Sequence, residues 1–250
     1  MGQRIDFLGF PLDALTMEET VGRCIELVES RGAHQHVVLN AAKVVQAADD
    51  PELARIIRSC SLVSADGQSV VWGARALGLR VPERVTGIDL MERLLDVAER
   101  RAWPVYLLGA RPEVNEQFAG IVASRHPRIV IAGRGDGYFR DDAAAAAAVR
   151  ASGARVLFVA MPSPRKERFL AERLAELGPV LAMGVGGSFD VWTGRTSRAP
   201  RVLREAGLEW AYRLVQEPRR MWRRYLVGNA RFVALIVKAR MTNNLRPSAH

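Results

Sequence analysis

The stretch VLFVAMPSPRKERFLAERLAELGPVLAMGVGG, residues 156–187, contains a complete strand–helix–strand unit. Residues 156–160 are a short apolar run that suits a buried strand, and residues 164–177 have helical periodicity behind a proline. Residues 180–183 form a second apolar run, which ends in the glycine-rich segment 184–187. Because one helix connects two short buried strands, the unit predicts parallel strands joined by a crossover helix.

The same alternation extends through the first 151 residues. We predict further strands at residues 5–8, 36–39, 62–64, 105–108 and 129–132. Helices are predicted at residues 17–30, 41–48, 68–77, 88–101, 112–124 and 141–151, with another short one beginning at Pro51. The pattern predicts an α/β fold with a mainly parallel, Rossmann-like sheet and helices on both faces. The 250 residues are 49% hydrophobic and 25% charged, which excludes a mainly disordered chain.

Positive charge is concentrated at the end of the chain. The net charge is +9, and residues 201–250 contain 11 Lys and Arg against three Glu. On a helix, one face of this segment carries Trp222, Tyr225, Leu226, Val233, Ile236 and Val237. The opposite face carries Arg220, Arg223, Arg224, Arg231 and Lys238. The pattern is typical of a helix that lies on an anionic membrane. The alternatives are a core-packed helix with a solvated basic face, and burial against a second copy in a homo-oligomer.

Small or polar residues follow five of the predicted strands, at the edge where open parallel sheets bind ligands. They are Asn40, Asp66-Gly67, Gly109, residues 161–164 and residues 184–187. The amides of residues 184–188 can cradle a pyrophosphate, or the segment can simply form a tight turn. Asp66 fits a general base and fits a helix N-cap equally well. Tyr138 can stack on a base or anchor its loop.

Several other functions are disfavoured by what the sequence lacks. The four histidines have no metal-ligand spacing and no Asp-x-Asp triplet occurs, so we predict no metal site and no cofactor. An early Gly-x-Gly-x-x-Gly with its acidic partner is missing, which disfavours a dinucleotide-dependent oxidoreductase. The pI of about 10.4 would suit nucleic acid, but no nucleic-acid motif is present and we expect no such partner. The alternative to an enzyme is a non-catalytic nucleotide- or nucleic-acid-binding α/β protein.

A set of short motifs spans most of the chain. They are ADG at 65–67, RVTGIDL at 84–90, YLLG at 106–109, GYF at 137–139, GVGGSFDV at 184–191, RAP at 198–200, GLEWAYRL at 207–214 and EPRR at 217–220. Together they resemble the WecG/TagA/CpsF family of bacterial glycosyltransferases (family 26) over residues 40–225. The resemblance implies an inverting, metal-independent enzyme of cell-surface polysaccharide synthesis. It implies transfer of a sugar from a UDP-sugar to a polyprenyl-diphosphate-linked saccharide.

The resemblance also implies roles for individual residues. Asp66 matches the catalytic base, and the further active-site positions match Asn40, Arg213, Arg220 and Arg223. Substrate contacts are expected from Val38, Thr86, Gly109, Tyr138, Lys166, Val185, Gly186, Gly187 and Asp190. Val38 stands where the family often has Thr, and Lys166 stands where it usually has Gln. The donor sugar can therefore be a hexose, an N-acetylhexosamine or a uronic acid.

The implied organisation has two parts. Residues 1–198 form the catalytic core, and residues 199–250 form a helical, Arg-rich appendage that completes the active site. The resemblance further implies that this appendage docks the enzyme to the membrane. The expected location is therefore cytoplasmic and peripheral, on the inner face of the bacterial cell membrane.

Overall fold

A computed structural model describes residues 3–200, 202–203, 209–216 and 218–244, with side chains beyond residue 208 described only at 211–212, 214–215 and 227–242. Its strands are β1 (Gln3–Phe7), β2 (Phe10–Ala14), β3 (His34–Leu39), β4 (Leu62–Ala65), β5 (Val105–Gly109), β6 (Ile131–Gly135), β7 (Val156–Ala160) and β8 (Leu181–Gly184). Six of them form one sheet in the order β4-β3-β8-β7-β5-β6, with every neighbouring pair parallel. The predicted parallel α/β sheet is confirmed.

Helices connect the strands of this sheet. They are α1 (Met17–Glu29), α2 (Ala41–Asp49), α3 (Pro51–Ser59), α4 (Gln68–Ala76), α5 (Gly87–Arg100), α6 (Pro112–Arg125), α7 (Asp142–Ala151), α8 (Arg165–Arg173) and α9 (Ser188–Trp192). A short 3₁₀ helix (Leu174–Glu176) follows α8, and the chain continues into Glu209–Gln216 and a C-terminal helix, Pro218–Asn244. None of the helices in the described ranges is long and apolar enough to cross a membrane.

Alternating side chains of the strands pack against helices on both faces of the sheet. In β7, Val156 and Phe158 face the cluster formed with α1, α5 and α6. Leu157 and Val159 face the opposite cluster, formed with α7 and α8. This double burial explains why the strand is a continuous apolar run instead of an alternating one.

The N-terminus forms a hairpin that the sequence prediction missed. β1 and β2 pair antiparallel, and the turn consists of Leu8 and Gly9 with φ of 57° and 81°. Two consecutive positive φ values are those of a type I′ turn, which matches the twist of a hairpin. The prediction that the first strand runs through Leu8 is therefore wrong. The last strand residue, Phe7, is fully buried, and Phe10 begins β2.

The strand predicted at residues 129–132 is also displaced. The Ile129 amide donates to the His126 carbonyl at 3.0 Å, which closes a turn after α6. β6 therefore begins at Ile131 and continues to Gly135. Position 133 of this strand holds a glycine, because a Cβ there would be 2.5 Å from the ring of Tyr106.

The C-terminal helix divides its apolar residues between the core and solvent. Phe232 and Ile236 are buried over Gly73 of α4, where a Cβ would lie 2.9 Å from Ile236 Cδ1. Val233 and Val237 remain exposed. Burial separates Ile236 from these two valines, with which the sequence groups it on one helix face, because Gly73 leaves room for Ile236 in the core. The core-packed alternative therefore applies to the inner side of this helix.

Candidate active site

Asn40 and Asp66 lie at the carboxyl ends of the neighbouring strands β3 and β4. Asn40 is the N-cap of α2, and its Oδ1 accepts a hydrogen bond from the Lys43 amide at 3.0 Å. This bond orients the side-chain amide, whose Nδ2 donates to Asp66 Oδ2 at 3.4 Å. Both side chains are partly exposed. The helix cap thus fixes the donor end of the asparagine amide beside the carboxylate.

Asp66 does not occupy the N-cap position of the following helix. That position belongs to Gly67, which has φ of 90° and makes no side-chain cap hydrogen bond. The positive φ favours glycine, because a Cβ would be strained there. The Asp66 amide donates to the Leu39 carbonyl at 2.9 Å, so the carboxylate stands directly at the end of the strand ladder. The N-cap alternative for Asp66 is therefore wrong.

Thr86 and Val38 lie next to this pair. The Val85 amide donates to the Ala65 carbonyl at 2.8 Å, which brings the start of α5 beside Asp66. Thr86 is the N-cap of α5 and its hydroxyl donates to Asp89 Oδ2 at 2.5 Å. Val38 is buried below Gly87, where a Cβ would be 3.5 Å from Val38 Cγ1. The substrate roles of both residues stay predictions, and the structure gives Thr86 a capping role.

The segment after β8 is a rigid turn in the middle of the same edge. The Val185 amide donates to the Val159 carbonyl at 2.9 Å, and the Ser188 hydroxyl donates to the Val185 carbonyl at 2.7 Å. Gly186 has φ of 55°, and Gly187 is exposed. The segment is thus a tight turn, and contact of its amides with a pyrophosphate stays a prediction. Asp190 follows in the first turn of α9, and its predicted substrate contact and those of residues 185–187 stay predictions.

Lys166 belongs to a buried ionic cluster that extends below this turn. Glu167 Oε1 lies 2.6 Å from Lys43 Nζ and 3.0 Å from Lys166 Nζ, and the three residues are 1%, 5% and 6% exposed. Burial by itself raises the pKa of Glu167, but the two lysines outweigh it and bring the pKa down to about 2. The carboxylate is therefore ionised at neutral pH. Sequence reasoning identified Lys166 and missed Lys43 and Glu167.

The far end of the edge is built around Gly109 of β5. This glycine has φ of 113°, and a Cβ would lie 2.4 Å from the Ala160 carbonyl oxygen, so the approach of β7 requires a glycine here. Asn115 Nδ2 of α6 lies 3.0 Å from each of the carbonyl oxygens of Leu107, Gly109 and Gly135, and its two N–H groups are shared among these three acceptors. Asn115 joins the ends of β5 and β6 and was missed by sequence reasoning. The only local signal was a polar residue on the buried side of α6.

Tyr138 extends into solvent from the loop after β6. Its side chain is 67% exposed, whereas the neighbouring Phe139 packs against Phe169 with ring centroids 5.3 Å apart. The loop-anchor alternative is therefore wrong for Tyr138, and Phe139 is the anchor. The Tyr138 amide is held by Asp136 Oδ1 at 2.7 Å, which fixes the backbone and leaves the ring open. Stacking on a base stays a prediction.

Comparison with a protein-family model indicates the function of this carboxyl edge of the sheet. Residues 5–246 match the model of the Glycosyl transferase WecG/TagA/CpsF family. The chain belongs to this family. Membership confirms the resemblance over nearly the whole sequence and implies glycosyltransferase activity in cell-surface polysaccharide synthesis. A WecG/TagA/CpsF enzyme requires a nucleotide-sugar donor and a saccharide acceptor.

Other predicted site residues of this WecG/TagA/CpsF glycosyltransferase are not tested by the geometry. The side chains of Arg213, Arg220 and Arg223 lie outside the described residues. Within the part of the chain that is described, no group of three His, Cys, Asp or Glu side chains is arranged to hold a metal ion.

Proposed function

We propose that this chain is an inverting, metal-independent glycosyltransferase that uses a UDP-sugar and a polyprenyl-diphosphate-linked saccharide. The observation that carries the proposal is the Asn40–Asp66 pair at the carboxyl edge of the sheet. Asn40 is oriented by the start of α2 and directs an N–H group at one carboxylate oxygen of Asp66. In this proposal Asp66 is the general base, and Asn40 orients its carboxylate.

The reaction is a direct displacement. Asp66 accepts the proton of an acceptor hydroxyl while that oxygen forms a bond to the anomeric carbon of the donor. The bond from this carbon to the diphosphate oxygen breaks, and its electron pair leaves with UDP. Attack on the face opposite the leaving group inverts the anomeric centre. Amides of residues 184–187 and the arginines at 213, 220 and 223 are proposed to stabilise the charge that grows on UDP.

The strand order supports one orientation of the donor. Asp66 follows β4 and Gly109 ends β5, so four strand spacings, about 19 Å, separate them. The turn at residues 184–187 follows β8, midway between them. We place the nucleobase near Tyr138, the diphosphate on this turn and the sugar beside Asp66. In this orientation Val38 and Thr86 lie near the sugar.

The C-terminal residues complete the proposal. We propose that residues 199–250 form an appendage to a core of residues 1–198, close over the bound donor and dock the enzyme peripherally on the anionic, cytoplasmic face of the membrane. Exposed apolar side chains at Val233, Val237 and Met241, each one turn apart, support this docking. Burial of the same stripe against a second copy is the alternative.

Release of UDP from a panel of UDP-sugars, with a short-chain polyprenyl-diphosphate saccharide as acceptor, tests this function. We expect acceptor-dependent release with one donor. Asp66→Asn should lower turnover by at least about 100-fold, because general-base catalysis is lost, and should leave UDP affinity nearly unchanged. Asp96→Asn, an exposed carboxylate change on α5, is the matched control.

Two results would contradict the proposal. Wild-type turnover in Asp66→Asn would refute the assignment of Asp66 as the general base. Failure of the wild-type protein to bind UDP would exclude a UDP-sugar donor.

A further inference from the structure

Two of the three lysines in this chain are buried on the same carboxylate. The chain has 36 basic residues, and only Lys43, Lys166 and Lys238 are lysines. Lys238 is exposed on the C-terminal helix, whereas Lys43 and Lys166 both reach Glu167 Oε1. Arginine is the more usual cation of buried ion pairs, because its guanidinium is weakly hydrated, whereas lysine carries a compact, strongly hydrated point charge on a flexible stem.

Stability alone is a poor explanation for this cluster. Taking charges out of water is costly, and apolar side chains of similar volume often replace a buried ion pair without loss of stability. Glu167 Oε2, moreover, makes no hydrogen bond. A cluster of two cations and one anion in the interior is better explained by a role for its charge.

The position of the cluster indicates where that charge acts. The Lys166 stem lies against Gly184 at the end of β8, where a Cβ would be 2.8 Å from Lys166 Cε. The ammonium is therefore held next to the turn at residues 184–187. Lys43 is in the first turn of α2, and its amide donates to Oδ1 of Asn40, the N-cap of that helix. The cluster thus connects the helix that orients Asn40 with the turn in the middle of the carboxyl edge.

We propose that Lys43 and Glu167 are positioning residues that hold the Lys166 ammonium against the end of β8 to recognise a negatively charged group of the donor. Glu167 anchors Lys166, and Lys43 supplies a second cation, so that Lys166 is not the sole counter-ion of this carboxylate. The inference rests on the proposed function, since it assumes a UDP-sugar. The group is the diphosphate or a carboxylate on the sugar, which share the same chemistry.

Calorimetric titration of the full chain with UDP, uridine, UDP-glucose and UDP-glucuronic acid tests this inference. We expect Lys43→Met and Lys166→Gln each to weaken binding of every ligand that carries the recognised group about tenfold, the effect of one partly screened charge a few ångströms away. Uridine has no diphosphate, so its affinity should not change. Arg100→Met removes an exposed cation in the last turn of α5, outside residues 199–250, and should leave all four affinities unchanged.

Lys166→Gln leaves the Lys43–Glu167 pair intact, so we expect this variant to fold even where Lys43→Met does not. Thermal unfolding midpoints and uridine binding report whether each variant is folded. Equal losses for UDP and UDP-glucuronic acid identify the diphosphate as the recognised group. A loss confined to UDP-glucuronic acid, with UDP and UDP-glucose unaffected, identifies the sugar carboxylate.

Two outcomes would overturn the inference. Parallel losses of uridine and UDP affinity would show that the cluster only maintains the fold of the site. Unchanged affinities for every ligand in Lys43→Met would show that Lys43 does not support recognition. Absence of UDP binding in the wild-type protein would instead refute the proposed function, and this inference with it.

Discussion

Truncation of Phe232 to alanine tests whether the C-terminal helix belongs to the folded core. The Phe232 side chain is 4% exposed, lies over Gly73 and has its ring centroid 6.2 Å from that of Phe7. Removing a buried phenylalanine ring costs about 3–5 kcal/mol, because apolar contacts are lost and a cavity remains. For a chain of this size, each kcal/mol lowers the unfolding midpoint by about 2–4 °C. We therefore expect a decrease of about 6–20 °C.

The matched control is the next residue on the same helix. Val233 is 58% exposed, so Val233→Ala should change the free energy of unfolding by less than about 0.5 kcal/mol. Thermal unfolding followed by circular dichroism compares both variants with the wild type. If Phe232→Ala shifts the midpoint no more than Val233→Ala does, the helix is not anchored to Phe7 and Gly73, and the reasoning fails.

Two more predictions concern the sheet. His36 is fully buried, and burial, reinforced by Lys43, lowers its pKa to about 3. Between about pH 6.5 and 3 only the unfolded chain protonates this residue, so stability should fall with acidification, by at most about 1.4 kcal/mol per pH unit. Urea midpoints of His36→Asn should show a flatter pH slope over this range, and an unchanged slope would contradict the assignment. Gly109→Ala should prevent folding, because its Cβ would meet the Ala160 carbonyl oxygen at 2.4 Å. The control Gly153→Ala, with φ of 67° and open space around it, should lose only about 1 kcal/mol, and equal stability of the two in urea would refute the steric argument.

Much of the fold could be predicted because its signals are local. Apolar runs separated by amphipathic helices indicated the parallel sheet, and Thr16 with Glu19 forms a capping box of the kind that marks a helix start in a sequence. The position of β8 between β3 and β7 has no local signal, because it depends on contacts between distant segments. The hairpin was missed because Leu8, an apolar residue, occupies a turn position that usually holds glycine, asparagine or aspartate.

Those residues of the candidate site that directly follow a strand could be predicted from the sequence. Asn40 and Asp66 could be found from this position, since strand ends of a parallel sheet meet at one edge. Lys43 and Glu167 could not, because their role depends on a contact between residues 124 positions apart. Lys43 stands among apolar neighbours in α2, which was the one available hint that its charge is buried.

The contact between Lys166 and Gly184 has an evolutionary consequence. The Lys166 stem crosses the end of β8 where residue 184 has no Cβ; the Cβ of an alanine there would lie 2.8 Å from Lys166 Cε, so the stem would have to shift. The two positions are therefore epistatic, and the order of mutations matters. In a lineage that first acquires a side chain at residue 184, a lysine at residue 166 must take another path. A lineage that keeps glycine at 184 can exchange the residue at 166 in a single step.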